Sequence, residues 1–290
     1  MILIEKRKMN RSTKAQRRLC GAIAYVALTV FAAIFAFPLF WLLSCSLKTY
    51  ANIFVYPPEM LQFPLQFKNF PDALTYETLP FVKYIGNSAV VTIVSVIGAV
   101  LSSSLVAFAF SRLRWRGRNA LFTVVVLTMI IPIEVVITPL YLIYNELGWV
   151  DTYLPMILPF FLGKAFYVFM IRQAIMGISK EMDESAKLDG CSTLQTYWMV
   201  ILPQAKLAVF AVAIMAVQDQ WNNYLEPLIY INTQDKQMIS VALGYFSSMY
   251  QTQWHLVYAA AVMVASPIII LFAFMQKYFI QGVVVSGVKG

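Results

Sequence analysis

Six apolar runs, each long enough to cross a lipid bilayer as a helix, constrain what this 290-residue chain can become. They lie at about residues 20–43, 87–110, 119–143, 153–176, 207–231 and 257–279. A hydrocarbon core about 30 Å thick takes roughly 20 residues at the helical rise. Hydrophobic residues make up 60% of the chain and charged residues 12%, against about 45–50% and about 25% in soluble domains. The expected fold class is all-α: a polytopic membrane protein of six transmembrane helices. A basic segment at 1–19 precedes the membrane domain at 20–280, and a short tail follows at 281–290.

The net charge of +8 does not indicate a nucleic-acid partner, because the basic residues are sorted by position relative to the apolar runs and form no single face interleaved with aromatics. Lys6, Arg7, Lys8, Arg11, Lys14, Arg17 and Arg18 precede the first run. Arg112, Arg114, Arg116 and Arg118 lie between the second and third, Arg172, Lys180, Lys187 and Lys206 around the fourth and fifth, and Lys277 and Lys289 at the end. Seventeen of 22 thus fall on one side, and Lys48, Lys68, Lys83 and Lys236 on the other. The excess marks the cytoplasmic side, so both termini and the interval 178–203 are expected there, in a plasma (cell inner) membrane. The first run is too long for a signal-peptide core and carries no small-residue cleavage site. Cys20, Cys45 and Cys191 are odd in number and far apart, which suggests neither a disulfide framework nor a metal cluster.

The interval from Ile178 to Pro203 is polar and amphipathic between two spans. Glu181, Asp183 and Glu184 after Ser179 favour a helix start through the macrodipole, and Gly190 ends that helix. Ser192 with Gln195 has capping-box spacing, so a second short helix is expected to begin there and stop before Pro203. On it Leu194, Tyr197, Trp198 and Ile201 form one apolar stripe that nothing in the loop is large enough to cover.

The chain has no GxxxxGK[ST] phosphate loop, so it is not expected to hydrolyse ATP. His255, the single histidine, leaves no histidine cluster for zinc and reads as a surface side chain. Polar groups inside spans cost about 2.5–3.5 kcal/mol near a helix centre and need a cavity or a partner. Here they are Glu134, Lys164, Gln218, Asp219, Gln220, Asn222, Asn223 and Glu226. The fifth span holds most of them around Trp221, and they face either a polar pathway through the membrane or a partner. Pro132, Pro155, Pro159 and Pro267 interrupt apolar runs, which membrane helices tolerate where neighbours satisfy the freed groups. The connection at about 45–86 is rich in proline and expected to be irregular. That at about 232–256, with Met238, Val241, Leu243, Tyr245, Phe246 and Met249, is either a partner-contacting or pore-lining segment or a half-buried cap.

Glu184-Ser185-Ala186, Gly190 and Val200-Ile201-Leu202-Pro203 together resemble the EAA loop of ATP-binding-cassette importer permeases, with Ser185 and Val200 as departures. Asn87-Ser88, Ser111-Arg112 to Gly117-Arg118, Ile131-Pro132, Leu147-Gly148 and Trp221-Asn222-Asn223 are similar to the sugar-importer branch. The end of the chain, Gln276-Lys277-Tyr278-Phe279, Gln281-Gly282 and Gly287-Val288-Lys289-Gly290, looks like the tail of permeases related to the maltose importer's smaller channel subunit. The resemblance covers about residues 20–290. It implies a carbohydrate importer with a second permease, two copies of an ATPase that bind ATP and Mg, and an external solute-binding protein. It also implies an ATPase-coupling role for Glu184, Ser185, Ala186, Asp189, Gly190, Leu194, Trp198, Leu202 and Pro203. Gln218, Asp219, Trp221, Asn222, Asn223, Glu226 and Glu134 are the pathway candidates. The alternative is a transporter or channel driven by an ion gradient, which would need midplane ion ligands and usually an internal repeat; no repeat is seen. A membrane-embedded enzyme fits less well still, for want of clustered carboxylates.

Overall fold

The computed structural model describes residues 2–76, 79–248 and 253–287, with side chains described except those of 2–15, 17, 245–248 and 276–287. Helices dominate and the described residues contain no strand. The helices are α1 (Ile2–Ser46), α2 (Tyr50–Ile53), α3 (Asn69–Leu74), α4 (Phe81–Arg112), α5 (Arg118–Thr128), α6 (Ile133–Glu146), α7 (Leu154–Phe161) and α8 (Ala165–Met176). They continue with α9 (Glu181–Leu188), α10 (Thr193–Gln204), α11 (Lys206–Trp221), α12 (Leu225–Tyr230), α13 (Ile239–Ser248) and α14 (Trp254–Gly287). Among the described residues, four helical stretches are long and apolar enough to span a membrane, and two bent pairs raise this to six if each pair is one span.

The chain divides into two compact units. The first, Met1–Pro71 with Gln253–Val262, is built on α1, which is helical from Ile2, so the basic segment and the first span are one continuous helix. Beyond α1, Asn69 Nδ2 donates to the carbonyls of Ser46 and Lys48 at 2.8 Å each. Lys48 is buried, with Nζ 2.5 Å from the Glu59 carbonyl and 4.6 Å from the Trp41 ring centroid. Those bonds satisfy the ends of a proline-rich connection that is irregular between α2 and α3, as expected.

The second unit, Asp72–Thr252 with Met263–Gly290, is organised around α4. Its buried face carries Ser88, Thr92, Ser95, Gly98, Ala99, Ser103 and Ala107, small residues that let α7, α8 and α11 approach closely. One core joins Ala99, Phe108, Ile171, Ile175, Tyr197, Ile201 and Val212. A second joins Val91, Ile137, Met156, Tyr230 and Met238. Met238 and Val241 are buried, so the start of the 232–256 connection is a half-buried cap; Met249 lies outside the described residues, as do Val288, Lys289 and Gly290 of the tail.

Three expected spans are interrupted. The third bends by 99° between α5 and α6, where Pro132 has extended backbone and starts α6. The fourth breaks at Gly163, whose φ of +79° no helix accommodates. The fifth breaks after Trp221, so Asn222 and Asn223 lie in a non-helical turn ahead of α12. Pro203 does not stop α10: the helix runs one residue past it to Gln204 before bending by 80° into α11.

Candidate functional site

Two places concentrate chemistry that the packing alone does not explain. The first is the elbow formed by α9 and α10. Ser179 Oγ accepts from the Glu181 N–H at 3.3 Å ahead of the acidic first turn. At the other end Gly190, with φ of +79°, lets its N–H reach the Lys187 carbonyl (3.0 Å) and the Cys191 N–H reach Ala186 (2.9 Å), the paired bonds of a Schellman ending. Two residues on, the reciprocal capping box is complete: Ser192 N–H donates to Gln195 Oε1 at 2.8 Å, and Gln195 N–H to Ser192 Oγ at 3.3 Å. Both arms of the elbow are therefore fixed by local bonds around one glycine.

The apolar stripe expected on α10 is split instead. Residues Thr196–Ile201 form a π-helical turn, and the extra residue per turn rotates the side chains out of register. Tyr197 and Ile201 are fully buried, with Tyr197 Oη 2.7 Å from Ser104 Oγ and its ring 5.3 Å from that of Phe108. Leu194 and Trp198 remain exposed, joined by Met199 and by Leu188, which is 89% exposed. Glu184, Ser185, Asp189, Gly190 and Pro203 are exposed, Leu202 is half-buried, and Ala186 is buried as the anchor of α9. Leu188 and Met199 were missed in the sequence; the available signal was an apolar residue two positions before the helix-ending glycine. An open groove separates this elbow from the α4–α5 turn, lined by Arg112, Arg114, Arg118, Lys180, Glu184 and Lys187 among others.

The second place is the break in the fifth span. Asp219 Oδ2 accepts from Lys164 Nζ at 2.8 Å and from the Tyr167 hydroxyl at 2.5 Å. Lys164 stands at the Gly163 break, its ammonium 4.8 Å from the centroid of the Phe160 ring, so the two interrupted spans meet through an ion pair. Asn223 Nδ2 donates to Glu226 Oε2 at 2.6 Å, and Ser240 Oγ donates to the Asn223 carbonyl at 2.6 Å. Asn222 and Asp219 are exposed, and Gln218, Asn223 and Glu226 half-buried. Gln220 is fully buried. Glu134 is exposed in the first turn of α6, beside the other break.

Trp221 is only 7% exposed, and its indole N–H donates to the Val264 carbonyl of α14 at 2.9 Å, so within this chain it packs against α14. Among the described residues no group of three or more His, Cys, Asp or Glu side chains is placed to hold a metal ion.

The chain is 30% identical to the arabinooligosaccharides transport system permease protein AraQ of Bacillus subtilis (strain 168), over 91% of this chain and 96% of that one. It is 26% identical to the lactose transport system permease protein LacG of Rhizobium radiobacter, over 94% and 98%. Its fold matches a solved bacterial ABC transporter involved in the import of the acidic polysaccharide alginate, with a TM-score of 0.79 at 24% identity, over 90% of this chain and 97% of that one. Relatives of this kind are permease subunits and not enzymes, with ATP hydrolysis on partner subunits, which sets aside the gradient-driven alternative. Residues 99–285 match the model of the binding-protein-dependent transport system inner membrane component, and the chain belongs to that family of ABC importer permeases.

Proposed function

We propose that this chain is one of two permease subunits of an ATP-driven carbohydrate importer, with the α9–α10 elbow as the element that couples it to the ATPases. The membrane domain then has six spans, three of them interrupted helices, with both termini and the elbow cytoplasmic in the plasma (cell inner) membrane and the elbow between the fourth and fifth spans. The sorting of the basic residues supports that orientation. A saccharide as solute is supported by the relatives, whose names concern arabinooligosaccharides and lactose, and by the alginate importer. ATP and Mg belong to two ATPase copies, and the solute reaches the permeases from an external binding protein.

The observation that carries the coupling role is the set of exposed apolar side chains, Leu188, Leu194, Trp198 and Met199, on an otherwise polar elbow whose backbone is locked by two cap motifs. A rigid knob with an apolar crown fits a groove on a soluble partner. For the pathway, Asp219, Asn222, Asn223, Gln218, Glu226 and Glu134 remain the candidates, because hydrogen-bonding groups at helix breaks are tolerated only beside protein or water.

The test is a Leu188→Cys variant in the complete complex, treated with a short bifunctional thiol reagent after cysteines have been placed around the ATPase groove. Cross-linking to the ATPase, together with saccharide uptake that stops when ATP is depleted, is the expected result. An elbow cysteine that cross-links to no co-purifying protein would refute the coupling assignment.

A further inference from the structure

Arg112 ends α4, and its guanidinium reaches past the α4–α5 turn to the elbow. Its Nη2 donates to the Ile178 carbonyl at 2.9 Å, and its Nε lies 3.1 Å from Asp183 Oδ2. The two side chains are only 7% and 16% exposed, so the pair is largely withdrawn from water. Ile178 is on the approach to α9 and Asp183 is in its first turn, so one side chain holds both the entry and the start of that helix. The other arm of the elbow is held by the buried bond between Ser104 of α4 and Tyr197 of α10. Ser104 and Arg112 are two turns apart on α4, about 12 Å along the helix. The two arms, either side of Gly190, are thus tied to one helix by one polar side chain of α4 each.

These ties differ from the apolar packing around them. Burial of apolar surface is non-directional, so the elbow core by itself specifies the position of α9 against α4 less sharply than a charge contact does. An ion pair withdrawn from water, beside the hydrogen bond that the same guanidinium makes to Ile178, resists separation because pulling it apart leaves a poorly solvated charge. Displacement of α9 is therefore passed to α4, against which α7, α8 and α11 pack.

We propose that Arg112 is a positioning residue of the transport cycle, clamping α9 to α4 through Asp183 so that movement of the elbow becomes movement of the spans. The proposal rests on the coupling role of the elbow. Asp183 is the residue to vary, because Asp183→Asn keeps the shape and removes the charge, and Asp183→Glu keeps the charge.

The experiment uses the complete complex with its binding protein in proteoliposomes, each variant also carrying Leu188→Cys. Saccharide uptake, ATP hydrolysis, subunit stoichiometry and the elbow cross-link are measured together. For Asp183→Asn the expected result is unchanged assembly and cross-linking, ATP hydrolysis within about twofold, and uptake lower by about tenfold, a loss in the range seen when a linked pair is broken. Asp183→Glu recovers most of the uptake. A wild-type ratio of uptake to hydrolysis in Asp183→Asn would overturn the clamp, and so would assembly falling in step with uptake, which would make the pair a folding contact. Equal behaviour of the Asn and Glu variants would overturn it too. If Leu188→Cys fails to cross-link in the otherwise unaltered complex, the coupling reading itself falls, and the clamp with it.

Discussion

Asp151 has φ of +63°, the left-handed region where aspartate and asparagine are the usual non-glycine residues. The position is held because one carboxylate satisfies a whole neighbouring loop. Lys236 Nζ donates to Oδ2 at 2.8 Å, Thr233 Oγ1 to Oδ2 at 2.7 Å, and the Thr233 and Asn232 N–H groups to Oδ1 at 2.8 and 3.0 Å. Asp151 N–H in turn donates to the Tyr230 carbonyl at 2.7 Å. The Lys236 bond, then those from Thr233, hold this carboxyl well below the usual carboxylate range, against a smaller opposing effect of burial. Its folded value being depressed, its contribution to stability is complete above the unfolded value of about 3.9 and is lost as pH falls from there through the folded value. Asp151→Asn keeps the backbone conformation and one acceptor but not the ion pair. The melting temperature of the variant is therefore expected to lie below that of wild type by a constant gap between about pH 8 and about pH 5, and the gap to narrow below about pH 4. A gap that narrows already between about pH 7 and about pH 5 would assign the effect to another group.

At the scale of elements, α4 meets α7 where Gly98 faces the Phe161 ring, and a Cβ built on Gly98 would run into that ring. Gly98→Val is expected to destabilise the purified complex by about 1–3 kcal/mol through overpacking, read as a lower thermal midpoint. Adding Phe161→Ala recovers part of the loss, whereas a double variant no better than the single would show the two helices to be held elsewhere. How much of this architecture could be read in the sequence follows from the range of each interaction. The Ser192–Gln195 capping box, the Gly190 ending and the Pro132 break are set by residues within a few positions, and all three appear where the spacing puts them. The π-helical turn at Thr196–Ile201 was not legible, because what favours it is the burial of Tyr197 against Ser104 and Phe108, far away in the chain. The hydrogen bond of Trp221 was not legible for the same reason: the acceptor of its N–H is a backbone carbonyl 43 residues on, which no side-chain pattern announces. The partnership of Lys164 with Asp219 joins two residues separately marked as costly in a membrane, and the pairing itself needed the fold.

For the whole molecule, exposure of apolar residues does not by itself distinguish lipid from protein, since lipid chains are as apolar as leucine. The apolar window of α1 has no buried residue within the chain, and Tyr25 and Phe35 there are as open as any lipid-facing pair would be. The exposed polar groups are more informative. Asn222 and Glu134 are exposed, and each stands at or beside a break in a span, where freed backbone groups also need water or protein. Neither residue is tolerated against hydrocarbon, so both should be wetted in the assembled importer while α1 is not. In a background with Cys20, Cys45 and Cys191 replaced by serine or alanine, single cysteines at Asn222 and Glu134 are expected to react with a membrane-impermeant maleimide in the complete complex. Their rates should change by about tenfold or more between nucleotide-free and ATP-trapped states, because alternating access opens the pathway to one side at a time. Cysteines at Tyr25 and Phe35 are expected to stay unreactive in both states. Reactivity at Asn222 that is the same in every state would place it in a static interface between the permeases, and reactivity at Phe35 would show that α1 borders water.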